Sequence, residues 1–388
     1  IFAAGFFLFT LGSLFCGLSN TILLLVLSRI IQAVGASAMM SLSQGIITAT
    51  FPPKERGRAL GFNGAMVSIG NLTGPAVGGL LVSRFGWQSI FYINIPIGIV
   101  GFSLTLALIP EIHKKSRLHE FDLKGALLFC ITVIVMFGSL LLLQENVISS
   151  QIFVPVFVLS VILLMLFVYL QRRTKNPFME LSIFHNKVFS LGIVSAFLSF
   201  VSIFTTVLFM PFFLYHVIDL PPLYAGLVYA AYPITSVIVA PISGFLSDRI
   251  STKPLTVTGM SLCTISLISM SFLNKSSPIF LIGVLLSLLG AGMAMFQSPN
   301  TSTVMGSVEK NRLGVAGGLQ ALARNLGMVT GSSVSLVIFS FLTKTNMNSM
   351  SGTSFDAGLF IKGFSAVLIF GGVSSFLALL VSLKRTTN

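Results

Sequence analysis

Apolar segments long enough to cross a lipid bilayer recur along the whole chain of 388 residues. A membrane-spanning helix needs about 20 mostly apolar residues. Only 9% of the residues are charged, whereas a soluble domain has about 25%. The sequence therefore predicts an all-α polytopic membrane protein. Its twelve expected spans are residues 2–20, 21–48, 57–83, 89–109, 123–144, 152–170, 188–215, 223–246, 254–273, 278–302, 312–342 and 359–383.

Basic residues are divided unevenly between the loops that connect these spans. Seventeen of the 23 Lys and Arg residues lie in one alternating set of loops, four lie in the other set, and Arg29 and Arg324 lie inside spans. Cytoplasmic loops carry the excess of Lys and Arg in membrane proteins, so both ends of this chain are expected to face the cytoplasm. The net charge of +13 thus predicts contact with an anionic lipid bilayer and no nucleic-acid partner.

The ten acidic residues all lie at or beyond the ends of the expected spans. A proton-coupled transporter usually holds its proton on an acidic residue within the membrane. Such a residue is therefore expected in sequence not present here, unless coupling uses another group. Arg29 either ties neighbouring helices together or biases a nearby titrating group. Arg324 is interpreted as more structural, because Gln320 and Asn325 beside it form a polar helix seam.

Cysteine and histidine residues do not form a metal-binding pattern. Cys16, Cys130 and Cys263 lie singly in separate spans, and the four histidines have no ligand spacing. No combination of Ser, His and Asp and no phosphate-binding motif is evident either. The sequence predicts neither a metal, nor a cofactor, nor an enzyme.

Two similar segments of the chain are separated by 257 residues. Gly70-x3-Gly74 in the third expected span matches Gly327-x3-Gly331 in the eleventh, and each pair follows a basic loop. The repeat therefore extends over eight helices, although two six-helix halves would give six.

A helix pair inserted between two bundles explains this offset. Residues 1–110 are then the remainder of an N-terminal bundle, residues 111–187 contain the inserted pair, and residues 188–388 form a six-helix C-terminal bundle. Two spans are expected ahead of Ile1, which gives fourteen in the complete chain. An intact protein of twelve spans is the competing count.

The stretch GNLTGPAVGG at 70–79 places four glycines and a proline inside an apolar helix. Each helical glycine costs up to about 1 kcal/mol relative to alanine, and an interior proline costs about 3 kcal/mol. Gly70, Gly74 and Gly78 share one helix face, which lets another helix approach closely. We expect this ridge to make a tight, dry contact with a span of the other half that limits proton leak. Ordinary close packing is the alternative.

These residues resemble the antiporter motif of the major facilitator superfamily, in its fourteen-span drug:proton antiporter branch. The motif is a glycine, eight residues, a second glycine, three residues and then GPxxGG. Its positions are occupied here by Gly61, Gly70, Gly74, Pro75, Gly78 and Gly79. The resemblance covers essentially the whole chain. It implies the major facilitator fold, in which two helical bundles are related by a pseudo-two-fold axis, here with an inserted helix pair.

Two further motifs support this resemblance. The family pattern LxxxRxxQGxGAA matches Arg29 and Gln32, although Ala33 and Ser37 depart from it, and implies that Arg29 supports proton transfer. DLKGALL at 122–128 resembles the start of the branch's inserted pair.

The segment GFLSDRISTKPL at 244–255 is similar to the second copy of the superfamily's cytoplasmic gate motif. It retains Gly244, Asp248, Arg249 and Lys253, while Ser251 and Thr252 replace a Gly-Arg pair. The resemblance implies a gate at this turn. A charged turn that only orients the protein is the alternative.

The resemblance implies a monomeric efflux transporter of the plasma (inner) membrane. It would export amphipathic drugs or toxic compounds, including antibiotics, in exchange for protons by alternating access. The span at 223–246 lacks the acidic residue that selects dications in some relatives, so monovalent cations, neutral compounds or zwitterions are expected. Alternatives are an exporter of one metabolite (a siderophore, a lipid precursor or an amino acid) and a non-transporting membrane sensor. The candidate cavity residues are Gln44, Phe204, Met210, Tyr229, Tyr232, Gln297, Asn300, Gln320 and Arg324.

Overall fold

A computed structural model describes residues 1–109, 122–144, 147–343 and 356–385. The long elements in these ranges are all helices, which confirms the predicted all-α class. In chain order they are α1 (Phe2–Leu18), α2 (Ile22–Thr50), α3 (Arg56–Phe85), α4 (Ser89–Tyr92), α5 (Asn94–Leu108), α6 (Leu123–Gln144), α7 (Ser150–Arg173), α8 (Lys187–Phe212), α9 (Pro222–Tyr229), α10 (Ala231–Ser247), α11 (Thr252–Met270), α12 (Ile279–Gly306), α13 (Leu313–Thr343) and α14 (Ala357–Leu383).

Each of the twelve expected spans corresponds to one helix or to two consecutive helices. In the described ranges, ten helical segments are long and apolar enough to cross a membrane, and α1 is a shorter apolar helix. The polypeptide is thus a multi-pass membrane protein. The expected boundary at 110–111 and the basic residues Lys114, Lys115 and Arg117 lie outside the described residues.

Two expected spans are each broken into two helices. Ile93 separates α4 from α5, and Ala230 separates α9 from α10. Both breaks occur three residues before a proline, Pro96 or Pro233. A proline has no N–H to donate to the carbonyl four residues earlier, and its ring crowds that carbonyl. The helical hydrogen-bond ladder is therefore interrupted at both positions.

Polar side chains cap the N-termini of three of the long helices. Thr21 accepts a hydrogen bond from the backbone N–H of Leu24 at the start of α2. Asn186 and Asp356 each accept two such bonds at the starts of α8 and α14. These caps satisfy N–H groups that have no partner within the helix.

The main apolar core lies among α8, α11, α12, α13 and α14. Phe209, Leu267 and Phe364 are fully buried there, and the rings of Phe213 and Phe364 stack with centroids 4.5 Å apart. These helices form one bundle. In the other part of the chain α1 packs against α2 and α5, and α6 packs against α7.

Helix α3 connects these two groups of helices. It packs far more extensively against α10 and α12 than against α2. A small buried cluster of Ala65, Ala240 and Ala294 marks where α3, α10 and α12 meet. Because alanine side chains are short, the three backbones approach closely at this point.

Candidate substrate cavity and its closed end

A cavity of about 910 Å³ lies between α2 and α3 on one side and helices of the second bundle on the other. Its volume is within the range of small-molecule binding sites, about 300–1,000 Å³. Residues from α2, α3, α8, α9, α10, α12 and α13 line it. The cavity is thus formed between the two halves, where alternating-access carriers bind their substrates.

Three amide side chains and one arginine of the lining lie toward one end of the cavity. Gln44, Asn63, Gln297 and Arg324 all contribute to the lining. With a rise of 1.5 Å per residue, each of them lies roughly 9–17 Å from one end of its helix, and these four helix ends are on the side of the molecule where α3 begins. They form a polar floor at the end of the cavity nearer the start of α3.

The lining becomes aromatic toward the opposite end. Phe204, Tyr215, Tyr229 and Tyr232 contribute there, and the ring centroids of the two last tyrosines are 6.4 Å apart. Aromatic rings offer large flat surfaces for stacking. The cavity therefore has a polar floor and an aromatic wall, which together match an amphipathic molecule.

Six of the nine cavity residues predicted from the sequence line this cavity. They are Gln44, Phe204, Tyr229, Tyr232, Gln297 and Arg324. The other three predicted residues, Met210, Asn300 and Gln320, do not line this cavity, because each side chain is engaged elsewhere.

The three misplaced residues have specific partners. Met210 is fully buried in the core of the second bundle. Asn300 donates a hydrogen bond to the carbonyl oxygen of Gly192 (3.2 Å) and accepts one from Arg385 (2.7 Å). Gln320 donates to the hydroxyl of Thr301 at 2.7 Å. Their types fit a cavity wall, but their positions on the helices do not.

Arg324 faces the cavity, so the predicted polar seam with Gln320 is not formed. Its guanidinium contacts the sulfur of Met40 at 3.2 Å. No carboxylate of a described residue lies within 4 Å of it. The Oε1 atom of Gln44, also in the lining, is buried without a hydrogen-bond partner among the described residues. The floor therefore combines a charged donor group with one unsatisfied amide oxygen.

One end of the cavity is closed by the start of α3 and the end of α10. The carboxylate of Asp248 accepts hydrogen bonds from the backbone N–H groups of Gly57 (2.7 Å) and Arg58 (2.8 Å). Ser298 donates to the carbonyl oxygen of Gly57 at 3.1 Å. A negative charge at a helix N-terminus is stabilising, so the Asp248 carboxylate links α10 to the start of α3 across the two halves. Burial raises the pKa of this carboxyl, and the two donated hydrogen bonds partly oppose that effect.

Glycines allow the helices to meet at this end. A methyl group at Gly61 would lie 2.6 Å from the carbonyl oxygen of Ala240, and one at Gly244 would collide with the backbone of Gly57. A methyl group at Gly317 would likewise collide with the carbonyl oxygen of Ser41. Two tight contacts, α3 with α10 and α2 with α13, therefore close the same end.

Sequence reasoning missed Gly57, Ser298 and Gly317. A signal for the first was present, because Gly57-x3-Gly61 has the same small-residue spacing as the predicted ridge. The other two carry no comparable signal, since a single serine or glycine in an apolar helix has many structural roles.

The predicted tight contact of the ridge is wrong in this structure. Among the described residues, no atom of another element lies within 4 Å of a methyl group placed on Gly70, Gly74, Gly78 or Gly79. Pro75 is exposed but lines the cavity. Of the six motif positions, only Gly61 packs closely against the other half. The physical reason is that α3 meets α10 near its beginning, so its later turns are uncovered.

The glycines at the equivalent positions of the second similar segment, Gly327 and Gly331, are in close contact with another helix. A methyl group at Gly327 would lie 2.6 Å from the carbonyl oxygen of Phe197, and one at Gly331 would lie 2.5 Å from that of Val201. Both contacts are with α8 of the same bundle. The two matching glycine pairs thus have different surroundings.

Arg29 and Gln32 form a polar chain outside the cavity lining. Arg29 donates to the Oε1 atom of Gln32 at 2.6 Å, and Gln32 donates to the hydroxyl of Ser13 at 2.7 Å. The guanidinium lies 5.7 Å from the ring centroid of Phe91. Gln32 is buried, whereas Arg29 is exposed although it lies within α2.

The four predicted gate residues have different positions. Gly244 and Asp248 contact the start of α3, as described above. Arg249 is exposed, with its guanidinium 4.1 Å from the ring centroid of Phe245, and Lys253 lies in the first turn of α11. The structure therefore brings the first two to the closed end and leaves the two basic side chains beside it.

Comparisons with known proteins agree with this architecture. A sequence model described as the Major Facilitator Superfamily matches residues 1–332. The riboflavin transporter RibZ of Clostridioides difficile (strain 630) is 35% identical over 356 residues, which cover 91% of this chain and 76% of RibZ. The multidrug resistance protein Stp of Mycobacterium tuberculosis is 35% identical over 337 residues, which cover 85% of this chain but only 61% of Stp.

A solved structure shares the fold. The crystal structure of the human organic anion transporter MFSD10 (TETRAN) matches with a TM-score of 0.67 and 14% sequence identity. The match covers 98% of this chain and 76% of that protein.

Proposed function

Because the chain belongs to the major facilitator superfamily, we propose that it works as an alternating-access carrier that exports small amphipathic compounds in exchange for protons. Its named relatives are transporters rather than enzymes, and they include multidrug resistance and export proteins. One observation carries the proposal. A cavity lies between the two halves, and contacts between the same halves close one end of it.

The orientation follows from the distribution of basic residues. The closed end is the side on which α3 begins and α10 ends, and the basic loops are on that side. By the positive-inside rule it is cytoplasmic, and both ends of this chain face the same way in the plasma membrane. The cavity then extends toward the outside, where an exporter releases its substrate.

Proton coupling is proposed to involve Arg29 and Gln32. An arginine within a span must face protein or water, and Arg29 is exposed with no described carboxylate within 4 Å. Gln32 fixes one side of its guanidinium. A proton-carrying acidic residue that faces Arg29 would complete the coupling site.

We place that residue in one of two spans ahead of Ile1, as in the fourteen-span branch. The repeat supports this arrangement, because Gly327 and Gly331 pack on α8, the first helix of the second bundle. The corresponding partner of Gly70 and Gly74 would be the first helix of the first bundle. The open ridge and the exposed Arg29 are the surfaces that it would cover.

The test uses the longer protein, meaning the chain with the two spans that we propose ahead of Ile1, reconstituted in proteoliposomes. We expect an imposed proton gradient to drive export of an uncharged amphipathic dye and a protonophore to abolish it. The change Arg29→Gln should reduce this proton-driven export while leaving dye binding intact. Export that does not depend on the proton gradient would contradict exchange for protons. A complete absence of export would contradict the proposal that the protein is an export carrier.

An exporter dedicated to one metabolite is the second candidate. The resemblance to RibZ, a riboflavin transporter by name, favours it. A substrate panel separates the two functions, since a drug exporter accepts several unrelated scaffolds and a dedicated carrier accepts one. In either case we expect a bisbiguanide dication to be a poor substrate.

A further inference from the structure

We infer that the cavity binds amphipathic compounds with one anionic or uncharged acceptor-rich group, and that Arg324 is the residue that binds this group. The inference rests on the proposed function, because it assigns a substrate class to the same cavity. It is narrower than the class expected from the sequence, because it excludes lipophilic cations.

The charge of the cavity lining favours an anion. The described lining residues include no Asp or Glu. Arg324 is permanently charged, and the one lining histidine, His216, is near the aromatic end. Among the described lining residues a cation would therefore find no carboxylate to replace its lost hydration, whereas an anion would gain Arg324 as a partner.

The position of Arg324 requires a partner. It is the twelfth residue of the 31-residue helix α13, so it lies at membrane depth. Its guanidinium has five N–H donors, and the sulfur of Met40 is a weak acceptor. An ionisable side chain within the membrane usually pairs or marks a substrate pathway. Since no described carboxylate is within 4 Å, a carboxylate or carbonyl group of the substrate is the natural acceptor.

Amide side chains beside Arg324 extend this polar floor. Gln44, Asn63, Gln297 and Asn325 all line the cavity. The buried Oε1 atom of Gln44 has no hydrogen-bond donor among the described residues, so it can accept only from a donor such as a substrate hydroxyl group. Amides both donate and accept, which suits uncharged hydroxyl or carbonyl groups next to an anion.

The aromatic wall accounts for the rest of the substrate. Phe204, Tyr229 and Tyr232 offer flat surfaces on the other side of the cavity from the polar floor. A planar ring system would stack there while its polar group reaches Arg324. The expected substrate thus has a planar apolar body joined to one acceptor group.

Three pyrene derivatives on the same linker test this inference: 4-(1-pyrenyl)butanoate, 4-(1-pyrenyl)butanol and 4-(1-pyrenyl)butylammonium. Binding to the longer protein in nanodiscs would be measured by equilibrium dialysis. We expect the butanoate to bind most tightly and the ammonium compound most weakly, with a difference of about tenfold or more between them.

Variants of Arg324 identify the group responsible. Arg324→Gln should weaken butanoate binding by about tenfold and abolish the preference for it, whereas Arg324→Lys should retain part of that preference. Arg84→Gln, in the last turn of α3 and outside the cavity lining, serves as the control and should bind all three compounds like the unmodified protein.

Two results would overturn the inference. One is tighter binding of the ammonium compound than of the butanoate by the unmodified protein, a result that can be obtained without any variant. The other is an equal loss of all three affinities in Arg324→Gln, which indicates a structural role only. Either result would leave proton-driven export of other compounds intact, so failure of the proposed function is recognised separately by the absence of any export.

Discussion

At the scale of single residues, one carboxylate joins the two halves of the molecule. Asp248 accepts two backbone hydrogen bonds at the first turn of α3, and Ser298 adds a third contact to the same turn. Hydrogen bonds to a charged group contribute about 1.5–3 kcal/mol each. Asp248 is therefore expected to control how often this end of the cavity opens.

Replacing this carboxylate tests the expectation. We expect Asp248→Ala to increase the open population at the Arg56 side by about tenfold or more. The measurement is labelling of Asn63→Cys by a membrane-impermeant thiol reagent added on that side, with the native cysteines replaced. Arg249→Ala is the matched control, since Arg249 is adjacent but stacks on Phe245 instead. Equal labelling in the two variants would contradict the expected role of Asp248.

At the scale of elements, helix α3 combines a packed start with an uncovered ridge. Gly61 contacts Ala240, whereas a methyl group placed on Gly74 would have no atom of another described element within 4 Å. We expect Gly74→Leu not to lower the thermal stability of residues 1–388, since leucine is a better helix former than glycine and has open space there. The same change should reduce export and ion-tightness in the longer protein, where the proposed first helix covers the ridge.

The control for this prediction is Gly138→Leu in α6, another glycine with open surroundings. It should lower neither stability nor export. Normal export by Gly74→Leu in the longer protein would contradict the proposed partner of the ridge.

The fold was predictable from sequence to the level of its helices, because length and hydropathy alone define a membrane span. Breaks within spans were less evident, although Pro96 and Pro233 account for both. The cavity was predictable in part, since polar and aromatic residues in spans mark lining positions. Which face a residue occupies depends on helix packing, and this is why Asn300 bonds to Gly192 and Arg385 instead.

At the scale of the whole molecule, two contacts close one end of the cavity while the other end is lined by aromatic residues. The contacts join α3 to α10 and α2 to α13, so each connects one half to the other. Rocking of the halves would separate both contacts and expose the polar floor to the opposite side. The account therefore requires these two contacts to break in every transport cycle.

Disulfide locking of these contacts tests the requirement most directly. A methyl group at Gly64 would lie 3.7 Å from the Cβ atom of Ala240, and one at Gly318 would lie 3.8 Å from that of Ser41. Both separations suit a disulfide, whose Cβ atoms are about 3.5–4.5 Å apart. The paired variants are Gly64→Cys with Ala240→Cys, and Ser41→Cys with Gly318→Cys, in the longer protein without its native cysteines.

The control is Thr264→Cys with Ser375→Cys, a pair within the second bundle whose hydroxyl oxygens are 3.0 Å apart. The measurement is export by proteoliposomes under oxidising and then reducing conditions. We predict that oxidation of either inter-half pair stops export, that reduction restores it, and that the control pair exports under both conditions. Undiminished export with an inter-half disulfide fully formed would contradict the account.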